Sequence, residues 1–204
     1  MIEEITKNVS RIYIKGIHSC NSYFIKDRRI LIDCCSKDAE EAFKKSLPVA
    51  PEDVSMVFLT HLHHDHIGGF NIFKDTPLFA SKRSLELLHD DPNSSILNLE
   101  TVQDFYASEK EIKEFPLERM KDIGFTVLDT PGHADGSVSL LFQDKDGTKI
   151  LFPGDLFFDP EMKVLGRTDL PTSDEKQMTV SLRKMSTVRY DILCPGHGRP
   201  EKKN

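Results

Sequence analysis

The sequence predicts an α/β layered fold in which two packed β-sheets carry helices on their outer sides. Three observations lead there. Short apolar runs rich in β-branched residues recur through both halves of the chain. Charged segments with apolar residues at helical spacing lie between them. The second half then restates the first, with strands, a polar loop, a helix and a last strand, and two strand-rich halves with helices pack as sheets covered by helices. No repeat of solenoid period interrupts this order. At 204 residues, 38% hydrophobic and 29% charged, the chain is sized for one well-buried domain, expected to run over residues 1–204.

In chain order, residues 11–15 and 22–33 read as a strand meander. Ile12 and Ile14 come first, then Tyr23-Phe24-Ile25, a turn at Asp27-Arg28-Arg29, and Ile30-Leu31-Ile32. From Lys37 to Lys45, Ala39, Ala42 and Phe43 fall at helical spacing, and Pro48 and Pro51 follow as breakers. Val54 to Leu59 is nearly all apolar, as expected of a strand covered on both faces, and delivers the chain into His61. A short helix near Gly69–Phe73, a strand at Pro77–Ala80 and a helix at Lys82–His89 come next. Between Pro92 and Arg119 the pattern weakens. Asp104–Arg119 alternates charged residues with Phe105, Tyr106, Ile112, Phe115 and Leu117, and reads as a solvated helix with an apolar face or as a lid whose aromatics line a substrate pocket. Phe125–Leu128, Val138–Phe142 and Lys149–Phe152 are strands, Asp174–Met185 a helix and Ile192–Cys194 a last strand.

The net charge of −6 argues against a nucleic-acid partner, because phosphate binding needs clustered Lys and Arg. Lys26, Arg28 and Arg29, and Lys202 with Lys203, are expected on solvated turns. The acidic start, Met1-Ile2-Glu3-Glu4-Ile5, carries no leader-like apolar core, and no apolar run is long enough to span a bilayer, so the expectation is a cytoplasmic protein with no membrane partner. Cys20, Cys34, Cys35 and Cys194 include no C-x-x-C pair and are expected as free thiols.

The chemistry concentrates in Thr60-His61-Leu62-His63-His64-Asp65-His66, which follows a strand and precedes Gly68-Gly69. Imidazole and carboxylate suit zinc, iron or manganese, and neighbouring residues on a turn can point two ways and serve two adjacent ions. The paired glycines suggest a tight turn or a close backbone approach. His133 in Pro131-Gly132-His133 and His197 in Pro195-Gly196-His197-Gly198 share a setting, Pro-Gly-His after a β-run. Asp155 in Pro153-Gly154-Asp155 also ends a strand. His64 is expected to point away from the cluster, and His18 and His89 to be surface or packing residues.

The ordered set H-x-H-x-D-H, P-G-H, G-D and P-G-H-G, spanning His61 to His197, resembles the metallo-β-lactamase superfamily. The resemblance implies a four-layer αββα sandwich of two mixed β-sheets, with metals at the edge between the sheets. Matched position by position, it implies that His61, His63 and His133 hold one divalent ion and Asp65, His66 and His197 a second, with Asp155 bridging. Zinc is the first expectation, with iron or manganese as alternatives. Flavodiiron relatives generally carry Glu where this chain has His63. Gly166-Arg167-Thr168-Asp169-Leu170-Pro171 with Ser173-Asp174, and Asn21-Ser22-Tyr23, resemble the short glyoxalase II-like (hydroxyacylglutathione hydrolase-like) thioesterases. Cys34-Cys35 departs from the small residue and Gly that relatives carry after the Asp33 position. Seven residues follow His197, too few for the separate helical domain of glyoxalase II enzymes.

What the resemblance implies is a metallo-hydrolase acting on a small-molecule thioester or related ester. A water shared by two ions would become available as hydroxide near neutral pH, with Asp65 and Asp155 as catalytic groups orienting it and moving its proton. Asp33 or Asp169 would fix ligand histidines by accepting their other N–H. Two alternatives stand beside this. One is a mononuclear iron persulfide dioxygenase using His61, His133 and Asp155 as a facial triad. The other is a non-catalytic or nucleic-acid-processing module, which the acidic balance disfavours.

Overall fold

The computed structural model describes residues 1–17, 19–159 and 163–203. Two mixed sheets form its centre. The larger has seven strands in sequential order: β1 (Ile2–Glu4), β2 (Val9–Ile12), β3 (Ser22–Ile25), β4 (Ile30–Ile32), β5 (Met56–Phe58), β6 (Leu78–Ala80) and β7 (Ile112–Glu114). Its first four strands are antiparallel and its last four parallel. The smaller takes β8 (Phe125–Asp129), β9 (Val138–Gln143), β10 (Lys149–Phe152), β13 (Ile192–Leu193) and β14 (Glu201–Lys202), with β10 and β13 parallel. A two-stranded ribbon, β11 (Phe157–Asp159) with β12 (Val164–Leu165), stands apart from both.

Alternation along the strands decides which layer each side chain enters. In β4, Ile30 and Ile32 join the core between the sheets while Leu31 joins the outer core; in β10, Ile150 and Phe152 face inward and Leu151 outward. Both faces are apolar because both are covered. On the outer face of the large sheet the cover comes from α1 (Glu40–Ser46), α3 (Lys82–Asp90), α4 (Pro92–Ile96) and α5 (Leu99–Ala107), which bury Phe43, Leu88, Ile96, Val102 and Phe105. On the small sheet α7 (Glu175–Met185) buries Met178 and Met185 against Leu151 and Leu193. The result is helix, sheet, sheet, helix, the four-layer αββα sandwich expected from the sequence. Aromatic rings fill the middle: Phe58 meets Phe79, Phe115 and Phe125 edge-on at 5.9, 5.6 and 5.3 Å.

Several expectations are corrected. Asp104–Arg119 is neither one helix nor a lid. Its first residues end α5, Ile112–Glu114 adds β7 to the sheet, and α6 (Leu117–Asp122) carries the chain to β8. Phe105, Ile112 and Phe115 are core, whereas Tyr106 and Leu117 are exposed. The turn near Gly69–Phe73 is a single 3-10 turn, Phe70–Ile72. The strand expected at residues 11–15 lies at Val9–Ile12. Among the described residues, no helix is long and apolar enough to cross a membrane, and all four cysteines are free and buried.

Candidate metal centre

Every segment that carries a predicted ligand leaves a strand at the same edge. β5 runs into Thr60 and His61, β8 into the His133 turn, β10 into Asp155 and β13 into His197. β4 leads into Asp33, whose backbone is left-handed at φ 55°. The two sheets are tied here through Val138 N–H, which donates to Thr60 O at 2.9 Å. His63 is extended, and the short helix α2 (His64–Ile67) begins just after it. That break lets His61 and His63 point one way while Asp65 and His66 point another.

The seven predicted residues converge into two groups, all buried or nearly so. His61, His63 and His133 offer atoms within 4.8 Å of one another, as do Asp65, His66 and His197. Asp155 reaches both groups. Its Oδ2 is 3.4 Å from His133 Nε2 and 3.4 Å from His197 Nε2, and its Oδ1 is 3.2 Å from His66 Nε2. His197 Nε2 lies 3.1 Å from Asp65 Oδ2. His64 is half-buried and joins neither group; His89 is exposed; His18 lies outside the described residues.

Second contacts orient the rings. His66 Nδ1 donates to Asp33 Oδ2 at 2.9 Å, which turns its Nε2 inward. Asp33 also accepts from Thr60 N and Thr60 Oγ1, so one carboxylate fixes both ligand-bearing segments. Asp33 therefore has the orienting position expected of it, whereas Asp169 is exposed and pairs with Arg167. Within the Gly166–Pro171 loop it is a backbone carbonyl, Arg167 O, that accepts from His133 Nδ1 at 3.0 Å. The His197 turn is held from β3: Asn21 Nδ2 donates to Pro195 O and Gly198 O, and Tyr23 Oη to Pro195 O at 2.7 Å. Arg11 was not legible as a site residue. It is buried, donating through Nε to Asn21 Oδ1 at 2.8 Å and through NH2 to Gly198 O at 2.8 Å. Phe158 stacks on His197 at 4.3 Å. Both contacts join residues far apart in sequence, so no local pattern announces them.

Glycine is required where the backbone closes on the cluster. A Cβ at Gly196 would strike Asp155 Oδ1 and His66, and Gly154, at φ 55°, passes against Thr60. Gly68 and Gly69 are close approaches, to the backbone at Lys37 and Cys34, rather than left-handed turns.

Electrostatics divide the cluster. Burial lowers the pKa of His61, His63 and His133, helped at His61 and His63 by neighbouring imidazoles and taking His63 down to about 3; these rings are neutral with lone pairs to give. Burial opposes charge at Asp65 and Asp155 too, but His66 and His197 outweigh it and hold both carboxyls well below the ordinary range. At His66 and His197 the surrounding acidic groups outweigh desolvation and raise the pKa, for His197 to about 9.

The donor set fits two metal ions. Among the described residues, His61 Nε2 and His63 Nε2 are buried without a hydrogen-bond partner, and buried polar atoms are rarely left so. Two compact sets of imidazole and carboxylate sharing one Asp match the chemistry of a dinuclear site.

Comparison with known proteins follows the same lines. The family model of the Metallo-beta-lactamase superfamily matches residues 16–197. A probable metallo-hydrolase of Streptococcus pyogenes serotype M6 is 27% identical over 187 residues, covering 86% of this chain and 77% of its own. A probable metallo-hydrolase of Methanocaldococcus jannaschii is 28% identical over 195 residues, covering 89% and 88%. In shape, the chain resembles the crystal structure of TTHA1623 in a di-iron-bound form, with a TM-score of 0.67 at 24% identity over 94% of this chain and 93% of that one.

Proposed function

Because the chain belongs to the metallo-beta-lactamase superfamily, we propose that it is a metal-dependent hydrolase of thioesters or related esters, with a dinuclear centre on His61, His63, Asp65, His66, His133, Asp155 and His197. The observation that carries this reading is the pair of buried three-residue groups approached by one carboxylate, Asp155, with His61 Nε2 and His63 Nε2 buried among them without a hydrogen-bond partner. His61, His63 and His133 would hold one ion and Asp65, His66 and His197 the other, with Asp155 placed to serve both. Zinc is the first candidate, with iron or manganese as alternatives. Ions bound there supply Lewis acidity toward a carbonyl oxygen and lower the pKa of water to about 7.

The chain's own residues do the rest. Asp33, Thr60 and Arg167 O fix ring orientation, so the donor atoms are set before substrate arrives. Asp65 and Asp155 stay ionised at neutral pH. They are the groups that orient an attacking water and take its proton, which can then pass to the departing thiolate. No serine or cysteine nucleophile is needed. The four thiols are buried, and burial pushes each of them up, so they are poor nucleophiles near pH 7. The preference for thioesters rests on Gly166–Pro171 and Asn21-Ser22-Tyr23, which resemble the glyoxalase II-like thioesterases and lie against His133 and the His197 turn.

The test compares thioesters, β-lactams and phosphodiesters on one metal-loaded preparation whose metal content has been measured. Thioesters should lead in kcat/KM by about tenfold or more, ~1.4 kcal/mol of transition-state preference. Oxygen uptake with glutathione persulfide, with thioester turnover at background and a ceiling of one iron per chain, would replace the hydrolase by the dioxygenase reading.

A further inference from the structure

A broad groove of about 1030 Å³ opens beside His197, between the connection from β2 to β3 and the segment after the His197 turn. Its floor is Arg11. That guanidinium is buried, lies 4.3 Å over the Tyr13 ring, and uses three of its five N–H donors on Asn21, Glu3 and Gly198 O. On the rim stand Lys15 and Arg199, both exposed. Among the described residues neither forms an ion pair, unlike Arg83 and Arg167, which pair with carboxylates on the surface. The acids on the same walls are Glu3, which Arg11 engages at 2.9 Å, and Asp159. Among the described residues of the lining, Arg11, Lys15, Arg199 and the Met1 ammonium outnumber the carboxylates of Glu3 and Asp159, in a chain whose net charge is −6. A local reversal of sign at the mouth of a reaction site draws in and orients an oppositely charged ligand.

We propose that this groove is the substrate's anion subsite: it receives a carboxylate or phosphate carried several bonds from the scissile carbonyl, with Lys15 and Arg199 as specificity residues and Arg11 as the fixed donor beneath them. The assignment rests on the hydrolase reading for the reaction, but the groove's preference for charge can be measured without it. Guanidinium and ammonium groups recognise both carboxylate and phosphate, so two sources share this chemistry: a peptide-like thiol with free carboxylates and a phosphorylated pantetheine arm.

Thioethers serve as probes, because they are not cleaved and bring no thiolate to the metals. Calorimetry on the metal-loaded protein compares S-methylglutathione with its diethyl ester, and S-methyl phosphopantetheine with S-methyl pantetheine. At least one charged probe should bind about tenfold more tightly than its uncharged partner, the size expected of two exposed charge pairs. That ratio should shrink with added salt and fall toward one in the double variant Lys15→Ala, Arg199→Ala, whose melting temperature should match the parent because both side chains are exposed. The pair that keeps the preference identifies the source. Equal binding within both pairs, no binding of any probe, or a full preference surviving in the double variant would overturn the subsite. Thioester turnover indifferent to substrate charge would remove the subsite and leave the hydrolase. A charge preference in binding, with no thioester cleaved, would do the reverse.

Discussion

Asp155 is the residue on which both halves of the cluster depend, since its two oxygens approach His66, His133 and His197 from one buried position. Changing it to Asn keeps the shape and removes the charge. Asp155→Asn is expected to leave circular dichroism almost unchanged while lowering kcat by more than the roughly 10–100-fold typical of an outer-shell partner; wild-type turnover in the purified variant would return Asp155 to the role of a turn residue. Asn21 acts one step further out, accepting from Arg11 and donating to Pro195 O and Gly198 O. Asn21→Ala removes the two side-chain hydrogen bonds to Pro195 O and Gly198 O and leaves Tyr23 Oη on Pro195 O, so the loosened His197 turn should lower affinity for the second of two ions by roughly 10–100-fold with the first little affected. Titration against a chromophoric chelator resolves the two steps, and an equal loss at both would mean general loosening instead.

At the scale of elements, the cluster is held by strand ends, and the strands by the aromatic layer between the sheets. β5 is pivotal: Val57 packs outward, Phe58 inward, and His61 follows directly. Phe58 is fully buried among three other rings, so Phe58→Ala should cost about 3–5 kcal/mol of stability in denaturant titration. Metal stoichiometry in the folded fraction should stay near the parent's, because no ligand leaves its strand end. A stability change under about 1 kcal/mol would mean the sheets close over the gap. The elements least legible in the sequence are β1, β7, β12 and β14, which have only two or three residues each. Such strands exist because a neighbour offers a free edge, a condition no local pattern encodes.

For the whole molecule, the buried cluster concentrates five imidazoles and two ionised carboxylates within the candidate ligand set, and His61 Nε2 and His63 Nε2 have no hydrogen-bond partner among the described residues. Ions that bind only the folded state add about 2.7 kcal/mol at free metal near 100 times Kd. With roughly 2–4 °C per kcal/mol at this chain length, chelation should lower Tm by about 5–11 °C, and re-addition should restore it. An unchanged Tm would place the ions, if bound, outside a folding-coupled site. The sequence by itself determined the layer architecture and the candidate ligands. Alternating apolar runs covered on both faces admit few arrangements, and the types His, Asp and Pro-Gly-His are written at fixed positions after strands. Tertiary structure decided what those ligands lean on. Asp33 could be guessed, whereas Arg167 O, Arg11 beneath the His197 turn and Phe158 against its ring could not, because each contact joins residues distant in sequence. The same reason puts Phe105 and Phe115 of Asp104–Arg119 in the core and not in a lid, while Tyr106 stays exposed: their spacing records that they are apolar, and only the packed sheet edge at β7 decides where that surface is buried.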